Sequence, residues 1–296
     1  MKETARRAAI VTGAGGGLGA AFATGLARAG LSVLVNNRHR GDGAPSADAL
    51  ANRLTAEGLS AAPDRHAVDA PGAAQAIVEA ALEAFGRLDV LVLNAGINGA
   101  AGKIGAAPPE DLAEVMAINF FANAALVSAA LPHIQASPAG RILFVSSTAG
   151  LHGLRGRAAY AASKGALNAY AVSLADEQRR AGVGVNVLMP YAETKMTGGA
   201  AGDALIAFPP ERVAPAVEWL TSADCTDTGQ LWVAGGGRYR RAFMVETPGA
   251  GDVTGNAAWI ADRRDAIADR SEARIFRGGE AAFADMLGDV QAMAKG

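Results

Sequence analysis

Residues Ala8–Gly19 read AAIVTGAGGGLG: a short apolar run that breaks into glycines and leads into an Ala-rich stretch. The run Ala8–Thr12 has the composition of a strand buried on both faces. A tight turn from strand to helix needs residues free of Cβ clash. The unpaired N–H groups at the start of the helix then suit a phosphate, because the helix dipole favours negative charge there. A glycine-rich loop carries this meaning when it follows a strand and opens a helix. Thr12, Gly13, Gly15, Gly16, Gly17, Leu18 and Gly19 are therefore candidate dinucleotide-binding residues.

The same alternation continues along the chain. Apolar runs fall at Leu31–Asn36, Arg65–Asp69, Asp89–Gly96, Arg141–Ser147, Val183–Met189 and Gln230–Gly236. Between them lie stretches with Ala, Leu and Val at helical spacing, such as PGAAQAIVEAALEAFG at 71–86. Strand–helix alternation with right-handed crossovers predicts an α/β, Rossmann-like, doubly wound parallel sheet of about seven strands with helices on both faces. The composition shifts after Gly237 to a more charged, Arg-rich stretch. We expect a dinucleotide-binding catalytic domain over 1–237 and a C-terminal extension over 238–296 packed on it. NAAWIADRRDAIAD (256–269) and EAAFADMLGDV (280–290) are its expected amphipathic helices.

Bulk properties exclude several classes. The 296 residues are half hydrophobic and 19% charged, which suits a folded core rather than disorder. A formal net charge of -2 gives no pull toward nucleic acid or an anionic membrane. A single cysteine, Cys225, allows no internal disulfide and is read as structural. No apolar run looks long enough to span a bilayer. Arg6 and Arg7 precede apolar residues, but that stretch is too short for a signal core, so a cytoplasmic location is expected. His39, His66, His133 and His152 are scattered without metal-ligand spacing, and no metal site is expected.

GRAAYAASKG at 156–165 places Tyr160 and Lys164 one helical turn apart among small residues. Upstream, NAG at Asn94–Gly96 closes the fourth strand, Asn119 lies in the following helix, and Ser147 ends the fifth strand. With the Thr-Gly loop, these ordered features resemble the short-chain dehydrogenase/reductase family over roughly Ala8–Gly237. The resemblance implies that Asn119, Ser147, Tyr160 and Lys164 are catalytic. It implies that Asn94, Ala95, Gly96, Tyr160 and Lys164 also line the cofactor, with Lys164 holding its ribose. Reduction of a ketone needs hydride on carbon and a proton on oxygen, and a phenol within reach can donate that proton. A fixed cation nearby favours phenolate, which is the expected part of Lys164. Ser147 would steady the charge developing on oxygen, and Asn119 would anchor a water in a proton relay.

The second strand ends VNNRHRGDG, with Asn37 where an NAD-preferring enzyme usually carries an acid, and Arg38 beside it. A guanidinium suits a 2′-phosphate, so NADP is favoured over NAD. Asp69 matches the family position that contacts adenine. After the sixth strand the family reads Pro-Gly, then a Thr for the carboxamide. Here Pro190 matches, Tyr191 replaces the Gly, and Thr194 falls one place early. PPERVAPAVEWLTSADCTDTGQLWVAGGGRYRR at 209–241 is similar to the (3R)-hydroxyacyl-CoA dehydrogenase part of peroxisomal-type multifunctional β-oxidation enzymes. The favoured substrate is thus a 3-hydroxyacyl/3-oxoacyl thioester. A steroid or polyol dehydrogenase and a non-catalytic NADP(H)-binding regulatory protein are the alternatives. The resemblance also implies a homodimer or homotetramer, with contacts along 120–135 and 158–181.

Overall fold

The computed structural model describes residues 6–39, 46–106, 108–193, 208–252 and 256–294. The chain opens with β1 (Ala8–Val11), α1 (Gly17–Arg28), β2 (Ser32–Asn36), α2 (Ser46–Ala56), β3 (Ala61–Asp64) and α3 (Ala73–Phe85). It continues with β4 (Val90–Leu93), α4 (Pro109–Met116), a π-helical turn (Ala117–Phe121), α5 (Ala122–Gln135) and β5 (Arg141–Val145). Then come α6 (Ala149–His152), α7 (Ala158–Gln178), β6 (Gly184–Tyr191), α8 (Ala214–Thr221), β7 (Leu231–Gly235) and β8 (Arg238–Ala242).

All eight strands join one sheet in the order β3-β2-β1-β4-β5-β6-β7-β8, and β3 through β7 run parallel. The strand order reverses between β1 and β4, which opens a crevice at their C-terminal ends. β1, β2, β4 and β5 are buried along their whole length, as near-continuous Val, Leu, Ile and Ala require. On one face, Phe22, Leu26, Leu54, Val217 and Leu220 from α1, α2 and α8 pack against Val11, Val33, Val92 and Leu143. Ile77, Leu126, Ile134 and Leu167 fill the helices α3, α5 and α7.

Two expectations change. The third strand lies at Ala61–Asp64, before the expected Arg65–Asp69. Its register with Val33–Asn36 leaves no slack for the later stretch, and Pro63 is tolerated because β3 is an edge strand. The sheet also has one strand more than the seven expected. Gly236 (φ +58°) and Gly237 (φ +82°) turn the chain back from β7 in two residues, and the charged run RYRRA becomes β8.

The continuous helical stretch Pro109–Gln135 corrects the reading of apolar length. At 27 residues, with an 18-residue window of mean hydropathy 1.6, it could cross a membrane by length and composition alone. Its most apolar window is 44% buried, and α4 and α5 pack on α7 and α3.

The chain divides into two compact units, Met1–Arg241 and Ala242–Gly296. The second holds α9 (Ala257–Asp262), α10 (Arg264–Ile267) and α11 (Gly279–Met293), in the stretches expected to be helical. Asn256 caps α9 through the N–H groups of Ala258 and Trp259. Arg274 pairs with Asp285 at 2.5 Å and bridges in backbone to Glu246.

At the other end of the sheet from the crevice, the buried Asp89 carboxylate joins β1 to β4. It accepts the Ala8 N–H (2.8 Å), two bonds from Arg87 (2.8 and 2.6 Å) and the Ser137 hydroxyl (2.5 Å). Burial works to raise its pKa, but the bonds from Arg87, Ser137 and Ala8 outweigh it and hold it below the usual carboxylate value. We predict that Asp89→Ala costs about 2–4 kcal/mol in urea unfolding at neutral pH. A depressed folded pKa stabilises above the unfolded value and is lost as pH falls, so the variant and wild type should converge below about pH 4.

Candidate active site

The glycine loop is tied to the end of β4. The Thr12 hydroxyl accepts the N–H groups of Asn94 (2.9 Å) and Ala95 (3.0 Å). The Asn94 amide donates back to the carbonyls of Thr12 (2.9 Å) and Gly13 (3.2 Å). The Thr12 hydroxyl and the Asn94 amide nitrogen are thus engaged with protein, and both residues shape the loop. Gly13 has φ +65°, and a Cβ there would sit 2.9 Å from Ala95 Cα. A Cβ on Gly15 would collide with Ser46 Oγ and Asn37, and one on Gly19 with the Gly13 carbonyl. At Gly16 a Cβ would meet nothing, and no side chain caps α1 there. Gly16 and Gly17 are exposed at the helix start, while Leu18 packs against the core. A closely packed loop with uncapped amides fits a pyrophosphate.

Beside this loop lies the end of β2. The Asn37 amide donates to Ser46 Oγ (2.7 Å), and its N–H to the Asp64 carbonyl (2.9 Å). Arg38 is half-buried, and no ion pair holds it among the described residues. Asp69 stands exposed in the turn before α3. A group that the sequence did not reveal sits below: Asp64 accepts from the Asn36 amide (2.6 Å) and meets His66 Nδ1 at 2.7 Å. These three residues come from two strand ends 28 positions apart, and no local pattern marks them.

The third cluster gathers around α7. Asn119 lies inside the π-helical turn and is fully buried. Its Oδ1 accepts the Ile97 N–H (2.8 Å), and its Nδ2 donates to the Ile97 carbonyl (2.9 Å) and Ser163 Oγ (3.0 Å). Its side-chain amide is therefore taken up by protein. Gly96 passes so close that a Cβ there would lie 3.0 Å from Asn119 Oδ1 and 3.6 Å from Lys164 Nζ. The buried Lys164 donates to the Val145 carbonyl (2.9 Å) and sits 5.8 Å from the centre of the Tyr160 ring. Ser147, whose hydroxyl accepts the Ala149 N–H (3.1 Å), lies close enough to Tyr160 to draw its phenol down. The structure thus brings Gly96, Asn119, Ser147, Tyr160 and Lys164 together at the C-terminal ends of β4 and β5.

The electrostatics differ from expectation in one respect. Burial pulls the Lys164 ammonium down to about 8, and burial pushes the Tyr160 phenol up, only partly offset by Ser147. The ammonium is turned to Val145 O and does not lower the phenol in this arrangement. Pro190 sits in β6 opposite Ala234, and Tyr191 ends that strand with its hydroxyl 2.7 Å from Thr148 Oγ1. Thr194 lies outside the described residues. His152 is exposed at the end of α6, and among the described residues no His, Cys, Asp and Glu cluster could hold a metal ion.

The chain is similar to known proteins in sequence and in fold. The family model described as short chain dehydrogenase matches residues 7–203. A Mycobacterium tuberculosis protein named as a short-chain type dehydrogenase/reductase is 34% identical over 278 residues, covering 91% of this chain and 96% of that one. Peroxisomal multifunctional enzyme type 2 of Mus musculus is 33% identical over 252 residues, covering 82% of this chain but only 34% of the mouse protein. Among solved structures, a short chain dehydrogenase from Mycobacterium avium superposes with TM-score 0.78 at 32% identity, covering 88% of this chain and 94% of that one. The full-length peroxisomal multifunctional enzyme type 2 from Drosophila melanogaster gives TM-score 0.81 at 26% identity, covering 98% of this chain and 49% of that one. Family model, relatives and crevice agree: the chain belongs to the short-chain dehydrogenase/reductase family of oxidoreductases.

Proposed function

We propose that this protein interconverts a 3-hydroxyacyl and a 3-oxoacyl thioester, with NADP as its favoured dinucleotide. The observation that carries the reading is the buried Lys164 held 5.8 Å from the Tyr160 ring, with Ser147 close enough to bear on the phenol. When bound, the dinucleotide gives or takes the hydride. In reduction, the Tyr160 hydroxyl passes its proton to the carbonyl oxygen, while Ser147 donates a hydrogen bond to that oxygen as charge grows on it. Burial keeps the phenol protonated at neutral pH, which suits a proton donor. Lys164, with its pKa at about 8, is still largely charged there and donates to the Val145 carbonyl beneath the site, 5.8 Å from the Tyr160 ring. Asn119 positions the segment at Ile97, and with it Gly96, over this group.

Similarity supports the thioester. The multifunctional enzymes of mouse and Drosophila match over 82% of this chain, and the Saccharomyces cerevisiae relative, over 80%, is named hydratase-dehydrogenase-epimerase. A hydratase makes the secondary alcohol that a dehydrogenase can oxidise. This chain spans about a third of the mouse enzyme. For the dinucleotide, the support is a half-buried Arg38 without an ion-pair partner among the described residues, beside a neutral Asn37. We also read the faces of α5 and α7, next to the exposed Phe121, as the contact between copies in a homodimer or homotetramer.

Three outcomes test this reading. Tyr160→Phe should lower kcat for NADPH-dependent reduction of a short 3-oxoacyl thioester by about 10²-fold or more, the scale of a lost general acid. Unchanged turnover would remove the reading. kcat/KM for reduction should be level at neutral pH and fall as pH rises through about 8, where Lys164 loses its charge. Arg38→Ala should raise KM for NADPH about tenfold to hundredfold, as for a lost charged hydrogen bond, with less effect on NADH.

A further inference from the structure

Tyr191 and Thr148 meet where two parallel strands leave the sheet. Val145 of β5 lies opposite Leu188 of β6, and three residues further along each chain the two hydroxyls stand 2.7 Å apart. Behind Tyr191, Gly235 of β7 gives the backbone room: a Cβ there would come within 2.7 Å of Tyr191 Cβ. The tyrosine is thus held at its base and its tip, yet 48% of it is exposed.

Two hydroxyls carry two protons, and the bond between them uses one. Thr148 makes no side-chain cap on α6, and neither hydroxyl has a further protein partner among the described residues. One O–H therefore remains to donate. It faces solvent one residue along the chain from Ser147, whose hydroxyl neighbours Tyr160.

We propose that the Thr148–Tyr191 hydroxyl pair binds the second oxygen of a 1,3-dicarbonyl substrate while Ser147 and Tyr160 hold the first. In such a molecule a single carbon separates the two carbonyls, and the two hydroxyl groups proposed to hold them belong to adjacent residues, Ser147 and Thr148. The product alcohol keeps the second oxygen and stays bound by the same donor. An isolated ketone lacks it. The inference rests on carbonyl reduction at Tyr160 and holds for a dicarbonyl ester as well as for a thioester.

The test compares kcat/KM for ethyl 3-oxobutanoate and a 3-oxobutanoyl thioester with that for 2-heptanone, in wild type, Tyr191→Phe, Thr148→Val and Thr148→Ser. The preference for the dicarbonyls should fall about threefold to tenfold in Tyr191→Phe and Thr148→Val, the scale of one neutral hydrogen bond. The loss should sit in KM rather than kcat, and Thr148→Ser should restore the preference. An unchanged preference in both variants, or equal losses on all three substrates, would overturn the proposal. So would a wild type that does not prefer dicarbonyls, even if it reduces the thioester. Preference for the ester with the thioester refused, and sensitivity to Tyr191→Phe, would uphold the pair and remove the thioester reading. A wild type that reduces no oxo compound overturns both.

Discussion

The hydroxyl of Thr12 is the joint on which the crevice depends. It accepts two backbone amides from the end of β4, and Asn94 returns two bonds to the loop. Two strands that part at the reversal of the sheet are thereby held edge to edge beyond their last ladder bond. The glycine loop takes its shape from one side of this joint. From the other side, Gly96 is delivered against Asn119 and Lys164. A methyl in place of the hydroxyl would leave two part-buried amides without this acceptor, each at a cost of about 1 kcal/mol.

Lys164 is the group for which the fold gives up stability. Its ammonium is buried with one carbonyl partner, and its pKa is pulled from 10.5 to about 8. At about 1.4 kcal/mol for each pKa unit, a charge held there costs roughly 3 kcal/mol at neutral pH. The Asp89 cluster lies at the other end of the strands and has the opposite character, since its carboxylate is stabilised by Arg87, Ser137 and Ala8. One end of the sheet is electrostatically satisfied and the other is not, and the unsatisfied end carries the chemistry.

How much of this was legible in the sequence follows from range. Continuous Val, Leu and Ile mark β1, β2, β4, β5 and β6, because a strand covered on both faces has no choice of composition. The Tyr160–Lys164 spacing is a local fact of one helix. β3 escaped because its AAPD has little apolar signal, and its position is decided by register with β2. β8 was not placed as a sheet strand because the three arginines of RYRRA leave it only Tyr239 and Ala242 as apolar residues. The Thr148–Tyr191 pair joins residues 43 apart, and only the parallel register of two strands reveals it. The downward pull of Lys164 on Tyr160, argued from spacing, is absent because the ammonium turns to Val145. Spacing along a helix says which side chains can meet, and burial decides which way they point.

The two outer strands of the sheet deter further strand pairing by different means. β3 is four residues long and holds Pro63, which has no N–H to offer. β8 is rich in arginine and largely exposed, so a second β8 brought alongside would set like charges together. Neither border is a template for extending the sheet from one molecule to the next. Both ends of the sheet are open edges, and each carries residues that penalise the pairing of a further strand, so the apolar strands between them are guarded by chemistry as well as by burial.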